Sequence, residues 1–470
     1  MDERRKRMIV YMDRASIEAL TVEDIREIIV KQGYRMKYRK LERYYVGDHD
    51  ILHSEKTDKT GGDNRIVNNM ARYITDTATG YFLGQPVVYS SENEEYLQLL
   101  QDIFDYNDEQ DHNTELEKQC SIKGDCFEML YLDEDGKIRM GLVFPENLIL
   151  FYETESEFTS PLAAIRMLRS LDKNGNIILN VEYWTYTQVV FLRSFNGGEL
   201  EVTGWKEHYW GDVPFCEYIN NRERIGDFEG VISEIDAYNR VQSNTANYFQ
   251  YNDDAILKVM RMGDVNAGDI AEMKRERAII LEDGGDVGWL LKTVDDTALE
   301  NFKNRLRDDI HLGANVPNMT DEAFGGNLSG VAVSYKLWGL EQICAIKERK
   351  FKRALQRRIE MITTMLNLQG HDFDYREIDM QFRRNKPQNI LEQSQIIGNL
   401  SSMLSKETLL QLLPFVDDPK EELEKLEEEK QEGVEAFGVY QNFAKAFKSS
   451  EDTEEKEPVK KGLIEGADDG

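Results

Sequence analysis

Three acidic doublets, Asp253-Asp254, Asp295-Asp296 and Asp308-Asp309, come nearest to a catalytic set in this sequence. Paired carboxylates hold two divalent cations in enzymes that cleave phosphodiesters. Two of the doublets fall where helices are expected to begin or end, and capping and turn chemistry account for them without metal. His49 and His53 stand four residues apart beside Asp48 and Asp50, a spacing that on a helix offers two metal ligands. Glycine and acids surround the pair and no third ligand is near, so a solvated loop is expected there. Neither Gly284-Gly-Asp-Val-Gly288 nor Gly325-Gly-Asn-Leu-Ser-Gly330 supplies the lysine that a phosphate-binding loop needs. Asp133-Glu-Asp-Gly136 and Asp172-Lys-Asn-Gly175 lack the closing Glu of a calcium loop and read as hairpin turns. Cys120, Cys126, Cys216 and Cys344 show no metal spacing and read as buried free thiols. No catalytic, cofactor-binding or metal-binding residue is assigned, and no cofactor is expected.

The charge balance narrows the remaining choices. The 470 residues carry 88 Asp plus Glu against 58 Lys plus Arg, a net charge of −30. Such an excess disfavours tight, general nucleic-acid binding, whose affinity comes from cations displacing counterions. One run opposes the trend: Lys347, Arg349, Lys350, Lys352, Arg353, Arg357 and Arg358, with Glu348 against it. Three readings stay open for it: a solvated face, ion pairs to a neighbouring subunit, or contact with phosphate. The longest uncharged stretch, Thr77 to Ser91, contains two glycines and a proline and is too short to span a membrane. The basic N-terminus is followed by an apolar run that ends at Asp13, too short for a secretion signal, so the chain is expected to stay in the cytoplasm that makes it.

The elements that must position these groups are read from periodicity. Thr21-Val-Glu-Asp24 is a capping box, and a helix is expected from there to about Tyr45, weakest at Gly33. A second helix is expected from near Arg65 to Gly84. From Asp125 the period falls to two, and turns at Glu134-Asp-Gly136, Lys173-Asn-Gly175 and Asn196-Gly-Gly198 predict an antiparallel sheet. Helical spacing returns over Phe228 to Asn252. A small α/β insert follows, with strands at Ala255 to Met260, Ala278 to Glu282 and around Trp289, and a helix near Ala267 to Arg277. Another helix runs from Asp295-Asp296 to Val316-Pro317. The segment from Asn318 to Gly330 has no periodicity. Val331 to Gln369 then reads as one helix of about 39 residues, roughly 58 Å long. A short strand at Ile378 to Arg383 and further helices over Ile390 to Leu413 precede a tail in which residues 417–470 hold 18 acids against 8 Lys or Arg. The last part of that tail has the composition of an unstructured segment. The class is α+β and rich in helix.

The segment Val316 to Glu341, with Phe324-Gly-Gly-Asn-Leu-Ser-Gly330 at its centre and Lys347-Glu-Arg-Lys-Phe351 beyond it, resembles the signature region of portal proteins of tailed bacteriophages. The likeness is to those of long-tailed phages of Gram-positive hosts. Asn64-Arg-Ile-Val-Asn-Asn69 with Gly80-Tyr-Phe-Leu-Gly-Gln-Pro86 adds a weaker likeness, and together they cover about residues 20 to 430. The resemblance implies a ring subunit, usually in twelve copies, at one vertex of a viral head. Double-stranded DNA passes through such a ring without sequence specificity, and terminase, a head-tail adaptor, capsid and scaffolding proteins are the implied partners, with no membrane. The implied location is the virion, with the host cytoplasm during assembly.

The same resemblance implies an organisation. Beyond a basic arm, 1–20, which the likeness does not reach, it assigns 21–230 to an α+β wing, 231–252 and 293–317 to stem helices, 253–292 to a clip and 318–330 to a tunnel loop. Residues 331–385 become the long wing helix and a strand and 386–433 a helical crown, while 434–470, an acidic and largely unstructured tail by composition, lie outside the likeness. By likeness the DNA channel is lined by Thr320, Asp321, Glu322, Phe324, Gly325, Gly326, Asn327, Leu328, Ser329 and Gly330. Partner docking falls to Lys274, Arg275, Glu276 and Arg277 of the clip. A metal-dependent nucleic-acid enzyme built on the acidic doublets and a scaffold without a channel are the alternatives.

Overall fold

The structure is a computed structural model that describes residues 9–31, 35–55, 63–153, 160–253, 256–260, 286–290, 296–319, 330–386 and 397–411, with single positions or short runs between 268 and 427. The chain divides into two units, residues 1–386 and 387–470. In the second, a helix spans Lys406–Gln411, and Leu409 and Val416 are buried.

In the first unit, strand β1 (Ile9–Tyr11) leads into helix α1 (Arg14–Glu18), capped by Asp13, and α2 (Val22–Val30). At α2 the Thr21 hydroxyl accepts from the Asp24 amide while the Asp24 carboxylate accepts from the Thr21 amide, which is the reciprocal box expected. Helix α3 (Arg35–Val46) follows, and residues 32–34 around Gly33 lie outside the described residues. Helix α4 begins at Met70, not near Arg65, and runs to Leu83. After β2 (Val88–Ser90) come two helices that periodicity does not announce, α5 (Glu94–Tyr106) and α6 (Glu109–Lys123).

Eight strands occupy the middle of the unit: β3 (Asp125–Leu132), β4 (Ile138–Val143), β5 (Leu148–Tyr152), β6 (Ala163–Leu171), β7 (Ile177–Trp184), β8 (Gln188–Phe195), β9 (Glu201–Glu207) and β10 (Phe215–Ile219). They form two sheets where one was expected. One has the order β1-β5-β6-β7-β8-β9, with β1 parallel to β5, and the other has the order β10-β3-β4. The hairpin turns are as read: Asp133 accepts from the amides of Asp135 and Lys137, and Asp172 from those of Asn174 and Asn176. Strand β5 is buried on both faces. Ile149 and Phe151 pack with Ile17, Ile25, Ile29 and Tyr38 of the N-terminal helices. Leu148, Leu150 and Tyr152 pack with Phe127 and Phe215 of the smaller sheet.

Helix α7 (Ile232–Asp253) leads to β11 (Ile256–Met260), which pairs antiparallel with β12 (Asp286–Leu290). Of the expected helix near Ala267 to Arg277 only Gly268 is described, and it is helical; the expected strand at Ala278 to Glu282 lies outside the described residues. Helix α8 (Asp296–Ala314) packs along α7. The single helix expected from Val331 is α9 (Gly330–Lys336) and α10 (Trp338–Leu368), parted at the buried Leu337. At 31 residues, α10 is about 46 Å long. Strand β13 (Asp379–Gln381) pairs with β2 and closes the unit. The largest core gathers α4, α5, α6, β3, β10 and α10, with Tyr44, Phe82, Tyr96, Tyr218 and Phe351 at its centre.

Candidate functional site: the long helix and the segment leading into it

Three small polar residues on one face of α7 decide how the segment before α4 runs. Asn239, Ser243 and Asn247 recur every four residues, a spacing of about 6 Å on a helix. Their side-chain oxygens accept from the amides of Asn68, Ile66 and Asn64 at 2.8, 2.9 and 2.7 Å. Alternate residues of an extended chain are about 6.6 Å apart, so the two periods match and residues 64–68 lie extended along α7. This is why the helical spacing of Ile66, Met70 and Tyr73 extended the predicted α4 too far. The Asn239 amide also donates to His49 Nδ1 at 2.9 Å, and His49 Nε2–H donates to the Tyr44 carbonyl at 3.1 Å. His49 is buried and stacks on Tyr44, and burial lowers its pKa and keeps it neutral. It is therefore a core histidine, not part of a solvated loop, while His53 is exposed and meets Asp48.

The end of α8 sets the direction of the chain before the glycine-rich segment. Asn315 has φ +54°, its amide donates to the Leu312 carbonyl, and the Val316 amide donates to the His311 carbonyl. This pair of bonds closes a helix through one left-handed residue, for which Asn is second only to Gly. Tyr73 then holds the exit: its hydroxyl donates to the Pro317 carbonyl at 3.0 Å and accepts from the Met319 amide at 2.8 Å. Because Asn315 is exposed, Asn315→Val should destabilise by about 1–2 kcal/mol through backbone strain. Asn315→Gly should be neutral or slightly stabilising in denaturant unfolding, and equal stability of the two variants would contradict the left-handed assignment. Of the channel residues implied by likeness, Gly330 opens α9; Thr320 to Ser329 lie outside the described residues, as do Lys274, Arg275, Glu276 and Arg277.

The seven cations of the long helix do not share a face. Lys347 and Arg358 are only 1% and 0% exposed, which overturns any surface role for them. Lys347 Nζ lies 2.8 Å from Glu117 and 2.5 Å from Asp227. Arg358 donates to Glu128, Glu109 and Asn113, each at 2.9 Å. Arg357 is tied to Asp212, Ser160 and the carbonyls of Val213 and Phe215. Lys352 donates to the Met380 carbonyl. Arg349 and Arg353 are exposed and Lys350 is half-buried. The first two of these ion groups thus brace α10 against α6 within the chain.

The titration of this bracing follows from its surroundings. Burial raises the Glu128 carboxyl, but the Arg358 charge and a hydrogen bond from His112 outweigh it and hold it at about 2. Burial pushes Glu117 up to about 7 against the pull of Lys347, with Asp227 pushing the same way. Burial likewise takes Asp125 to about 6 despite Arg224. The same burial raises the Cys120, Cys216 and Cys344 thiols, and all four cysteines are free and buried. Among the described residues no three His, Cys, Asp or Glu side chains are placed to hold a metal. Asp308 and Asp309 lie inside α8, where Asp309 pairs with Arg305.

One face of α9 and α10 is left open. Val331, Tyr335, Trp338 and Ile346 are 62, 77, 61 and 49% exposed, and steps of 4, 3 and 8 put them on one stripe. No other described helix exposes four large apolar residues in line.

Known proteins bear on these features directly. The family described as "Phage portal protein, SPP1 Gp6-like" matches residues 30–436. The portal protein of Bacillus phage SPP1 is 26% identical over 445 residues, covering 88% of this chain and 87% of that protein. The portal protein of Clostridium phage phiCD119 is 25% identical over 458 residues, covering 90% of this chain and all of that protein. Among solved structures, a chain from the virion of a native gene transfer agent particle is similar at a TM-score of 0.48 and 11% identity, over 80% of this chain and 93% of that one. A match that runs from α2 into the second unit takes in the α7–α8 pair, the glycine-rich segment and the long helix alike: the chain belongs to the SPP1 Gp6-like phage portal protein family.

Proposed function

We propose that the chain is the subunit of a closed ring at one capsid vertex, through which double-stranded DNA enters the head during packaging and leaves at infection. The observation that carries this reading is the family match over residues 30–436, across an order in which the α7–α8 pair holds the β11–β12 ribbon and residues 320–329 lead into α9. In this reading α7 and α8 are the stem and the ribbon belongs to the clip. Residues 320–330 face the channel and 386–433 form the crown. The clip cations Lys274, Arg275 and Arg277 meet terminase during packaging and the head-tail adaptor afterwards, while capsid and scaffolding proteins meet the outer wall. The segment 320–330 contains Asp321 and Glu322 and no Lys or Arg, so its attraction for phosphate is weak and a duplex slides past it. ATP chemistry is left to terminase.

Electron microscopy of the purified protein tests the first step. Rings with a central hole wide enough for a duplex are expected, and monomers or closed clusters without a hole would overturn the reading. Cross-linking a cysteine at Asn327 to its counterpart in the next subunit should leave rings intact and stop packaging. Normal packaging by rings so locked would remove the segment from the DNA path.

A further inference from the structure

A cleft of about 490 Å³ opens between the start of the larger sheet and the middle of α10. Five cations and two carboxylates line it, a positive balance in a chain of net charge −30. Two of the cations are committed at its base: Arg224 pairs with Glu217 and Asp125, and Arg357 with Asp212. Two others, Lys350 and Arg353 on successive turns of α10, have no carboxylate within ion-pair distance among the described residues. The opposite wall is the inner face of β1, where Ile9 and Tyr11 line the cleft.

Strand β1 adds a second, independent feature. It is the outermost strand of its sheet, and among the described residues no strand lies on its far side. The Met12 amide donates inward to the Tyr152 carbonyl. By the alternation of a parallel ladder, the N–H and C=O groups of Ile9 and Tyr11 then point outward, toward the free edge. A bare edge beside unpaired cations is the arrangement that captures an extended peptide, with main-chain bonds supplying affinity and side-chain pockets supplying choice.

We propose that this cleft docks an acidic peptide segment of a partner protein, which adds along the outer edge of β1 and sets its carboxylates against Lys350 and Arg353. The inference goes beyond the portal reading and does not depend on it. A nucleic-acid strand fits less well, because its charge repeats at every phosphate, whereas here Glu217 and Glu360 interrupt the cations and Ile9, Ile219 and Tyr11 supply apolar and aromatic wall. A peptide alternating acidic and β-branched residues presents both surfaces at a period of two.

The test is fluorescence anisotropy of the full-length protein with a labelled decapeptide alternating Glu and Val, its Gln-for-Glu counterpart, and a single-stranded oligonucleotide of similar length. The acidic peptide should bind at least about tenfold more tightly than the Gln peptide, and the difference should shrink as salt is raised. Lys350→Glu with Arg353→Glu should abolish that preference. Tyr11→Pro removes an outward donor and should weaken binding about tenfold or more beyond Tyr11→Ala, which removes the ring alone. Circular dichroism of each variant checks folding, and Lys350→Gln with Arg353→Gln serves if charge reversal impairs it. Equal affinity for the two peptides would overturn the proposal. So would oligonucleotide binding that the same substitutions abolish while peptide binding persists.

Discussion

Arg358→Met is expected to destabilise the first unit by about 3–5 kcal/mol, the range found when one partner of a buried ion pair is removed. The guanidinium donates to Glu128, Glu109 and Asn113, and Glu128 is wholly buried with His112 and Tyr218 as its other partners. Deleting the cation leaves two carboxylates facing each other in the core where α6, β3 and α10 meet. Replacing all the charges together, as Arg358→Met, Glu128→Leu and Glu109→Leu, should recover much of the loss, since apolar groups of similar volume require no counter-charge. Denaturant unfolding of the three proteins checks the order. A single variant as stable as the parent would show that the network carries no stability.

The pH dependence separates this mechanism from loss of packing. Glu128 at about 2 lies below the usual carboxylate range, so its contribution is complete above about pH 4.5 and is lost as pH falls toward about 2. Glu117 at about 7 runs the other way: its contribution is complete below about pH 4.5 and is lost as pH rises through about 7. In Arg358→Met the Arg358 charge is gone and burial is opposed only by the contacts with His112 and Tyr218, so the Glu128 carboxyl rises. That variant should therefore be relatively more stable at pH 5 than at pH 7.5, by a wider margin than the parent. A packing defect would lower both values equally.

These same residues explain what could be read from the sequence and what could not. The hairpins were legible because Asp133 and Asp172 satisfy turn amides locally, in the order in which they appear. Helix α6 was not, because its buried face contains Glu109, Asn113 and Glu117 at four-residue spacing, and polar residues at core positions erase an amphipathic pattern. Their partners Lys347 and Arg358 were misplaced for the complementary reason: seven cations in twelve residues look like a surface until the opposing acids are located 120 or more positions away. The extended course of residues 64–68 was invisible for a similar cause, since the acceptors lie on α7. The division into two sheets also depends on distant partners, with β10 joining β3 and not β9. The signature from Val316 to Glu341 was readable as a family likeness without any of this geometry.

In the ring proposed above, Tyr335→Glu combined with Trp338→Glu is expected to leave monomers or short open assemblies. Val331, Tyr335, Trp338 and Ile346 form an exposed apolar stripe on the helices that follow the glycine-rich segment, while the residues that continue the same line, Arg349 and Arg353, are charged. Each large side chain buried at a subunit contact contributes about 1.5–3 kcal/mol, so placing two carboxylates there removes that gain and adds the cost of desolvating them. A ring repeats one heterologous contact around its axis, and the substitution therefore weakens every junction at once. The chain itself should be unharmed, because both residues are more than half exposed within the subunit. Sedimentation velocity at matched concentration and salt distinguishes the outcomes, with the thermal midpoint of the monomer as the control for folding. Rings of unchanged size from the double variant would exclude this stripe from the junction and leave the contact to α7, α8 or the outer edges of the sheets.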